Sequence, residues 1–418
     1  MSESDRSPAQ PSANHGWRVT LAGLGINLAL AIMYTWSVIS KGVPDAWGWS
    51  EADRSLPYAI SCLIISLVMV PAGRMQDKLG PRLVATIGGI LVGSGMILAS
   101  FTTTPLGYVL GFGVLTGAGI ASAYAAATPP AVKWFPPAMT GRVVGIVVSG
   151  FGLAPVYAAP LSNWLIGQFG LAQAVRILGV AFLVVVAGLA QLLQTPPPGY
   201  VPPGTPPKPA GGGADGKRNH PPSEMLKTWQ FYVLWFMYAC GAGAGLMIIS
   251  KLAEIASAQA GIKLGFVLVA VLAVGNGAGR IVAGIAYDKV GRRITLLSCF
   301  VLQALLILLL SQTTEGSLLA HGAVLAVVSA LIGANYGANL AVFPAVTKDY
   351  YGLEHFGVNY GLLFTAWGFG GFLLALLAGR VYDATGSFSF AYYCSAALLA
   401  VAAVATFVVR PVRHPQVP

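Results

Sequence analysis

Twelve stretches of roughly 20 apolar residues, each long enough to cross the hydrocarbon core of a bilayer, run through the 418 positions of this chain. They lie at roughly 18–40, 55–75, 82–101, 106–129, 141–168 and 172–194, and again at roughly 229–256, 262–287, 293–311, 317–346, 357–382 and 388–410. In lipid a backbone must satisfy its polar groups internally, which a helix does within itself. The expected fold is therefore all-α: a polytopic membrane protein of 12 transmembrane helices in two pseudo-symmetric six-helix bundles. Charge agrees, since only 9% of the side chains are charged, against about 25% in an ordinary soluble domain.

Between the sixes, residues 196–222 hold 10 of the 27 prolines and six glycines, which suits an exposed, partly extended linker. The expected organisation is a tail over 1–17, a bundle over 18–195, a Pro/Gly-rich linker over 196–228, a second bundle over 229–410 and a tail over 411–418. With both termini on one side, 17 Lys and Arg fall on that side and six on the other, with Arg280 inside a span. The positive-inside rule then places both termini in the cytoplasm, in a multi-pass protein of the cell (inner) membrane. The polar start lacks the basic-then-apolar pattern of a cleaved signal peptide.

The net charge of +10 raises nucleic acid as a partner, but the basic residues sit in short clusters between apolar runs rather than with aromatics on one segment. No nucleic acid is expected. Cys62, Cys240, Cys299 and Cys394 lie in or beside apolar runs without Cys-x-x-Cys spacing, so they read as small buried hydrophobes, and neither a metal nor a cofactor is expected. The histidines at 15, 220, 321, 355 and 414 occupy tails, linker or span ends. No His-Glu-x-x-His, no paired intramembrane carboxylates and no Gly-x-Ser-x-Gly elbow occurs, so an enzyme is not expected.

The two halves repeat one another. Gly73-Arg-Met-Gln-Asp77-Lys78-Leu-Gly80-Pro81-Arg82 follows the second span, and Gly284-Ile-Ala-Tyr-Asp288-Lys289-Val-Gly291-Arg292-Arg293 follows the eighth. A weaker copy, Gly379-Arg-Val-Tyr-Asp383-Ala-Thr-Gly386, ends the eleventh. The spacing suits a tight turn at Gly80 or Gly291, with the acid near a helix terminus or a neighbouring Arg and the basic residues toward anionic lipid. With this loop the chain resembles the major facilitator superfamily. Tyr34-Thr-Trp36-Ser, Lys133-Trp134-Phe135-Pro136, Asn276-x3-Arg280 and Asn359-Tyr360-Gly361 make it similar to the oxalate/formate antiporter and monocarboxylate (lactate) transporter branch. The resemblance implies alternating access by two bundles around a site near the midplane.

Arg280 stands out on composition alone. It precedes the loop acid Asp288 by eight positions, about 12 Å along a helix, and a guanidinium at such depth costs about 2.5–3.5 kcal/mol or more without the escape of deprotonation. Either helix carbonyls or an acid on another span offset that cost, or the fork waits for an anionic ligand, with which a carboxylate makes two parallel charge-assisted bonds. All 14 acids can be placed in tails, loops or span ends, which favours the ligand. In the related transporters the matching arginine binds the substrate carboxylate. Asn276, one turn earlier on the same face, either orients Arg280, accepts a substrate hydroxyl or bonds across helices; animal monocarboxylate porters carry an acid there, so a relay through such an acid is excluded here.

Tyr34, Tyr124 and Tyr336 stand at mid-span depth and match aromatic positions that face the cavity in the antiporter branch, packing between helices being the alternative. Asn335 and Asn339 flank Tyr336 and make its span polar enough for a face turned to water or ligand. Where the oxalate transporters place a lysine this chain has Trp367, which leaves one midplane cation and favours a monocarboxylate over a dianion. Lys251 is read chiefly as snorkelling to the interface, with a second cation as the alternative. Gly241-Ala-Gly243-Ala-Gly245 and Gly368-Phe-Gly370-Gly371 are read as permitting close helix approach.

The expected function is secondary active transport of a small monocarboxylate such as L-lactate or pyruvate by proton-coupled symport. The alternatives are anion exchange of the oxalate/formate type and a carboxylate-sensing receptor without transport. The expected partners are the monocarboxylate, a proton as co-substrate and the lipid bilayer, and the protein is expected to be monomeric.

Overall fold

The computed structural model describes residues 13–136, 139–197, 199–203, 219–261, 264–352 and 355–410. Most of the N-terminal tail, the C-terminal tail at 411–418 and the centre of the linker, 204–218, lie outside the described residues. No strand occurs among the described residues, and twelve helices are long and apolar enough to cross a membrane. They are α1 His15–Lys41, α2 Glu51–Leu79, α3 Pro81–Ala99, α4 Pro105–Val132, α5 Arg142–Phe169, α6 Leu171–Ala190, α7 Trp229–Ala260, α8 Gly265–Val290, α9 Arg292–Leu310, α10 Gly322–Tyr351, α11 Phe356–Thr385 and α12 Ser389–Val408.

Local chemistry explains where they start and stop. Ser50 caps α2 with a reciprocal bond to Asp53, which satisfies donors that a helix start otherwise leaves orphaned. Gly80 and Gly291 join α2 to α3 and α8 to α9 at φ of +84° and +82°, a conformation open to glycine and costly for other residues. The tight turns expected from the repeated loop are therefore present in both halves. Pro57 and Pro71 sit inside α2, which neighbouring helices make tolerable in a membrane bundle. Tyr34 lies on a short 3-10 turn, Ala31–Thr35, that interrupts α1, the kind of break that often marks a functional hinge.

Helices α1–α6 pack into one bundle and α7–α12 into the other, and the bundles meet along α2 with α11, α5 with α8, and α1 with α7. Leu21, Ile90, Val184, Ile281, Leu305 and Val404 project outward, as suits a lipid-facing exterior. The even number of spans brings the start of α1, the end of α12, the described residues between α6 and α7 and the repeated loops to one end, called here the motif end; the opposite end is the far end. At the motif end Trp134 Nε1 donates to the Gln194 carbonyl, and Tyr350 donates to the Val409 carbonyl.

The helix pair that carries Arg280 is the tightest. Gly275 and Gly279 on α8 interlock with Gly333 and Gly337 on α10, so that a Cβ at Gly279 would overlap the Ala334 carbonyl and one at Gly337 the Asn276 carbonyl. This small-x3-small packing on both helices lets the backbones approach closely and fixes the rotation of α8. The glycine-rich runs behave as expected: Gly243 on α7 abuts Gly370 on α11, and Gly368 and Gly371 abut Ser66 and Cys62 on α2.

Candidate functional site

Between the bundles, where α1, α2, α4 and α5 meet α8, α10 and α11, lies a cavity of about 70 Å3, with room for roughly five or six non-hydrogen atoms by the space one water needs. Tyr34, Tyr124, Phe151, Tyr360, Phe364 and Trp367 form its aromatic wall, and among the described residues Arg280 is the only charged one on its lining. It adjoins a vestibule of about 480 Å3 that shares Met69, Tyr124, Val148, Tyr360 and Phe364 with it and continues past Gly73, Arg74 and Asp77 at the motif end.

Arg280 Nε donates to Asn276 Oδ1 at 3.2 Å. No carboxylate lies within ion-pair distance of its guanidinium among the described residues. Asn276 is buried and absent from the cavity wall, so its contact with Arg280 orients the fork from behind. Gly152 on α5 also lies beside the fork, where a Cβ would stand 3.7 Å from the guanidinium, at ordinary contact distance.

The aromatic residues are linked by hydrogen bonds. Trp367 Nε1 donates to the Tyr336 hydroxyl at 2.8 Å, and the Tyr336 and Tyr34 hydroxyls are 2.7 Å apart. An indole only donates, so Tyr336 accepts from Trp367 and its own proton is available to Tyr34. When Tyr336 donates to Tyr34, the Tyr34 O–H is free to turn into the cavity. This chain of bonds joins α1 of one bundle to α10 and α11 of the other. Tyr34, Tyr124, Trp367 and Arg280 thus face the cavity together, and Tyr336 stands directly behind Tyr34. Asn335 and Asn339 do not line the cavity; their amides donate to the Leu331 and Asn335 carbonyls within α10. Tyr360, Phe364 and Phe151 were passed over as site residues in the sequence. Only Tyr360 carried a signal, as the centre of Asn359-Tyr360-Gly361.

In the repeated loops, Asp77, Arg82 and Asp288 are exposed, and Arg292 lies over the Tyr350 ring at 4.8 Å. Gly73 and Gly284 have open space where a Cβ would project. The acid that meets a helix start is that of the weaker third copy: the Asp383 carboxylate accepts from the backbone N–H groups of Glu51 and Ala52 at 2.6 and 2.8 Å.

That contact belongs to a closure of the far end. Lys251 Nζ lies 2.6 Å from Glu51 and 2.8 Å from Glu254, and Ser40 donates to Glu254 at 2.6 Å. Lys251 does not snorkel to the interface. Its side chain is 2% exposed, because two carboxylates hold it between the bundles. Glu254, placed at a span end by the sequence, is likewise buried in that packing, 11% exposed. The molecule is open toward the motif end and shut at the far end.

A sequence profile of one family, the Major Facilitator Superfamily, matches residues 20–270 and 234–418. The chain belongs to that superfamily. As a member it is a multi-pass membrane transporter. An uncharacterised MFS-type transporter of Escherichia coli (strain K12) is 24% identical over 359 residues, 85% of either chain. The oxalate:formate antiporter of Oxalobacter formigenes is 27% identical over 385 residues, 87% of this chain and 85% of its own. Monocarboxylate transporter 11 of Mus musculus is 25% identical over 176 residues, 41% of this chain and 39% of its own. A bacterial homologue of the human lysosomal transporter Spinster, solved inward-facing and unoccupied, superposes with a TM-score of 0.69 over 96% of this chain and 98% of its own at 15% identity, which supports the fold.

Proposed function

We propose that this transporter carries a small monocarboxylate, of the size of L-lactate or pyruvate, by alternating access, with the Arg280 fork binding the carboxylate in the central cavity. The observation that carries the proposal is the guanidinium itself: at mid-span, turned to an aromatic cavity, oriented by Asn276 and without an ionic partner among the described residues. A carboxylate completes such a site, because its two oxygens match the planar fork. Tyr34 adds an O–H donor, held in place by Tyr336 and Trp367. The remaining aromatic wall suits a short apolar tail. A single cation on the lining balances one negative charge and would leave a dianion uncompensated in a poorly solvated space. Under this proposal the protein is a monomer in the cell membrane, with the motif end in the cytoplasm, as the 17-to-6 distribution of basic residues favours.

The transport mode proposed is symport with a proton. A second mode, exchange of one carboxylate for another, is favoured by a specific observation: among the described residues the cavity lining holds no acid to take a proton beside Arg280. Uptake of radiolabelled lactate into liposomes separates the two. Symport predicts accumulation driven by an inward proton gradient into vesicles without internal carboxylate. Exchange predicts uptake only when unlabelled carboxylate is preloaded, whatever the gradient.

A further inference from the structure

The repeated loops make the two halves alike at the motif end, yet the structure separates them at one corner. In the first half, the start of α3 and the end of α6 carry a single arginine, Arg82. The protein's own groups fill that corner: Gln191 donates to the Thr86 hydroxyl at 3.0 Å, and Trp134, bonded to the Gln194 carbonyl, packs on the Tyr200 ring at 5.2 Å. In the second half, the start of α9 and the end of α12 carry Arg292, Arg293 and Arg410.

Contacts gather these three residues around the end of α12. Arg292 lies over the Tyr350 ring, whose hydroxyl donates at 3.3 Å to the carbonyl of Val409, the residue before Arg410. Arg293 lies over the Phe407 ring at 4.4 Å, three positions before Arg410. None of the three forms an ion pair with a carboxylate among the described residues. The acids nearest in the chain are Asp288, exposed at the end of α8, and Asp349, which accepts from the Tyr287 hydroxyl. Three like charges at one corner repel until an anion joins them. The surface that runs from the corner toward the bilayer centre is apolar, with Ile294, Val301 and Leu305 on α9 and Val404, Phe407 and Val408 on α12 all exposed.

We propose that this corner binds an anionic phospholipid, its phosphate held among Arg292, Arg293 and Arg410 and its acyl chain lying along the outer face of α9 and α12. A guanidinium fork meets phosphate oxygens with paired charge-assisted bonds, and a basic pocket between spans at the membrane boundary is the kind of site that anionic headgroups fill. The apolar surface beneath selects a lipid over a free phosphate: both neutralise the arginines, but only the lipid also covers α9 and α12. The first half offers one arginine and a corner already filled, so the site is single. It lies outside the substrate cavity, and the proposal is independent of what the protein carries.

The test is native mass spectrometry of the full chain, delipidated in detergent and titrated with phosphatidylglycerol or phosphatidylcholine. The wild type is expected to bind its first phosphatidylglycerol at least tenfold more tightly than phosphatidylcholine. Glycerol phosphate, which carries the charge without acyl chains, should not displace it. Arg293→Gln combined with Arg410→Gln should bring the two lipids within about twofold of each other. Each change alone should lose part of the preference, which decides the matter if the double variant does not fold. Arg82→Gln, the same change of charge in the other half, should keep the wild-type preference. Equal affinity of the wild type for the two lipids overturns the proposal, as does a preference that survives the double change or falls as far in Arg82→Gln as in Arg293→Gln. Displacement by glycerol phosphate overturns it in favour of a free-phosphate site.

Discussion

At the scale of single residues, the cavity assigns each polar group a different task, and substitution separates them. Tyr34→Phe removes an O–H aimed at the carboxylate while keeping the ring packed 5.1 Å from Phe151. A hydrogen bond to a charged group is worth about 1.5 kcal/mol or more, so calorimetry on the purified protein should show lactate binding weakened about tenfold. Trp367→Lys tests the charge balance: an added cation beside Arg280 is compensated only by a dianion, so competition of unlabelled oxalate against labelled lactate should shift toward oxalate. The shift is opposed by the loss of the indole bond to Tyr336 and of the stack on Phe364. A variant that folds and binds lactate with no gain for oxalate would show that cation number does not set substrate charge. Arg280 itself was legible in the sequence because an unpaired arginine deep in a span breaks the composition rule around it. Lys251 was misread because only one of its partners, Glu254, is a neighbour in sequence; the other, Glu51, lies 200 positions away, and sequence distance hides an ion pair between bundles.

At the scale of helices, the position of Arg280 depends on how α8 meets α10. A side chain at Gly279 would have to displace the backbone at Ala334, and overpacking of this kind costs about 1–3 kcal/mol. Gly279→Leu is therefore expected to lower the melting temperature in detergent and to abolish lactate binding, whereas Gly284→Leu on the same helix, where a Cβ meets open space, should leave the melting temperature unchanged. An equal loss at both positions would refute the interlocking of α8 and α10 as the cause. Length and hydropathy were enough to find the helices, because a bilayer imposes both. The polar run around Tyr336 was harder to place: Tyr336 bonds from behind to Tyr34 and Trp367 of the wall, while Asn335 and Asn339 turn to carbonyls of their own helix. Periodicity marks a helix face but does not say whether that face meets a cavity or a neighbour. For the same reason Asp383, in the weakest copy of the loop, was undervalued although it caps α2 across the bundle interface.

At the scale of the whole molecule, two six-helix bundles enclose a small central cavity, open through a vestibule at the motif end and closed at the far end by Lys251, Glu51, Glu254, Ser40 and Asp383. Alternating access requires the far-end contacts to break and the vestibule to close around the same Arg280, with the Tyr34–Tyr336 bond between the bundles remade in each cycle. The central claim is that this arginine holds the carboxylate that is moved. Counterflow of labelled lactate in liposomes, by the wild type and by Arg280→Lys, tests it most directly, because lysine keeps the charge and loses the planar fork. The account predicts robust counterflow by the wild type and at least tenfold less by the Lys variant, at equal amounts of folded protein in the membrane. Near-normal counterflow by Arg280→Lys, or none by the wild type, would contradict it.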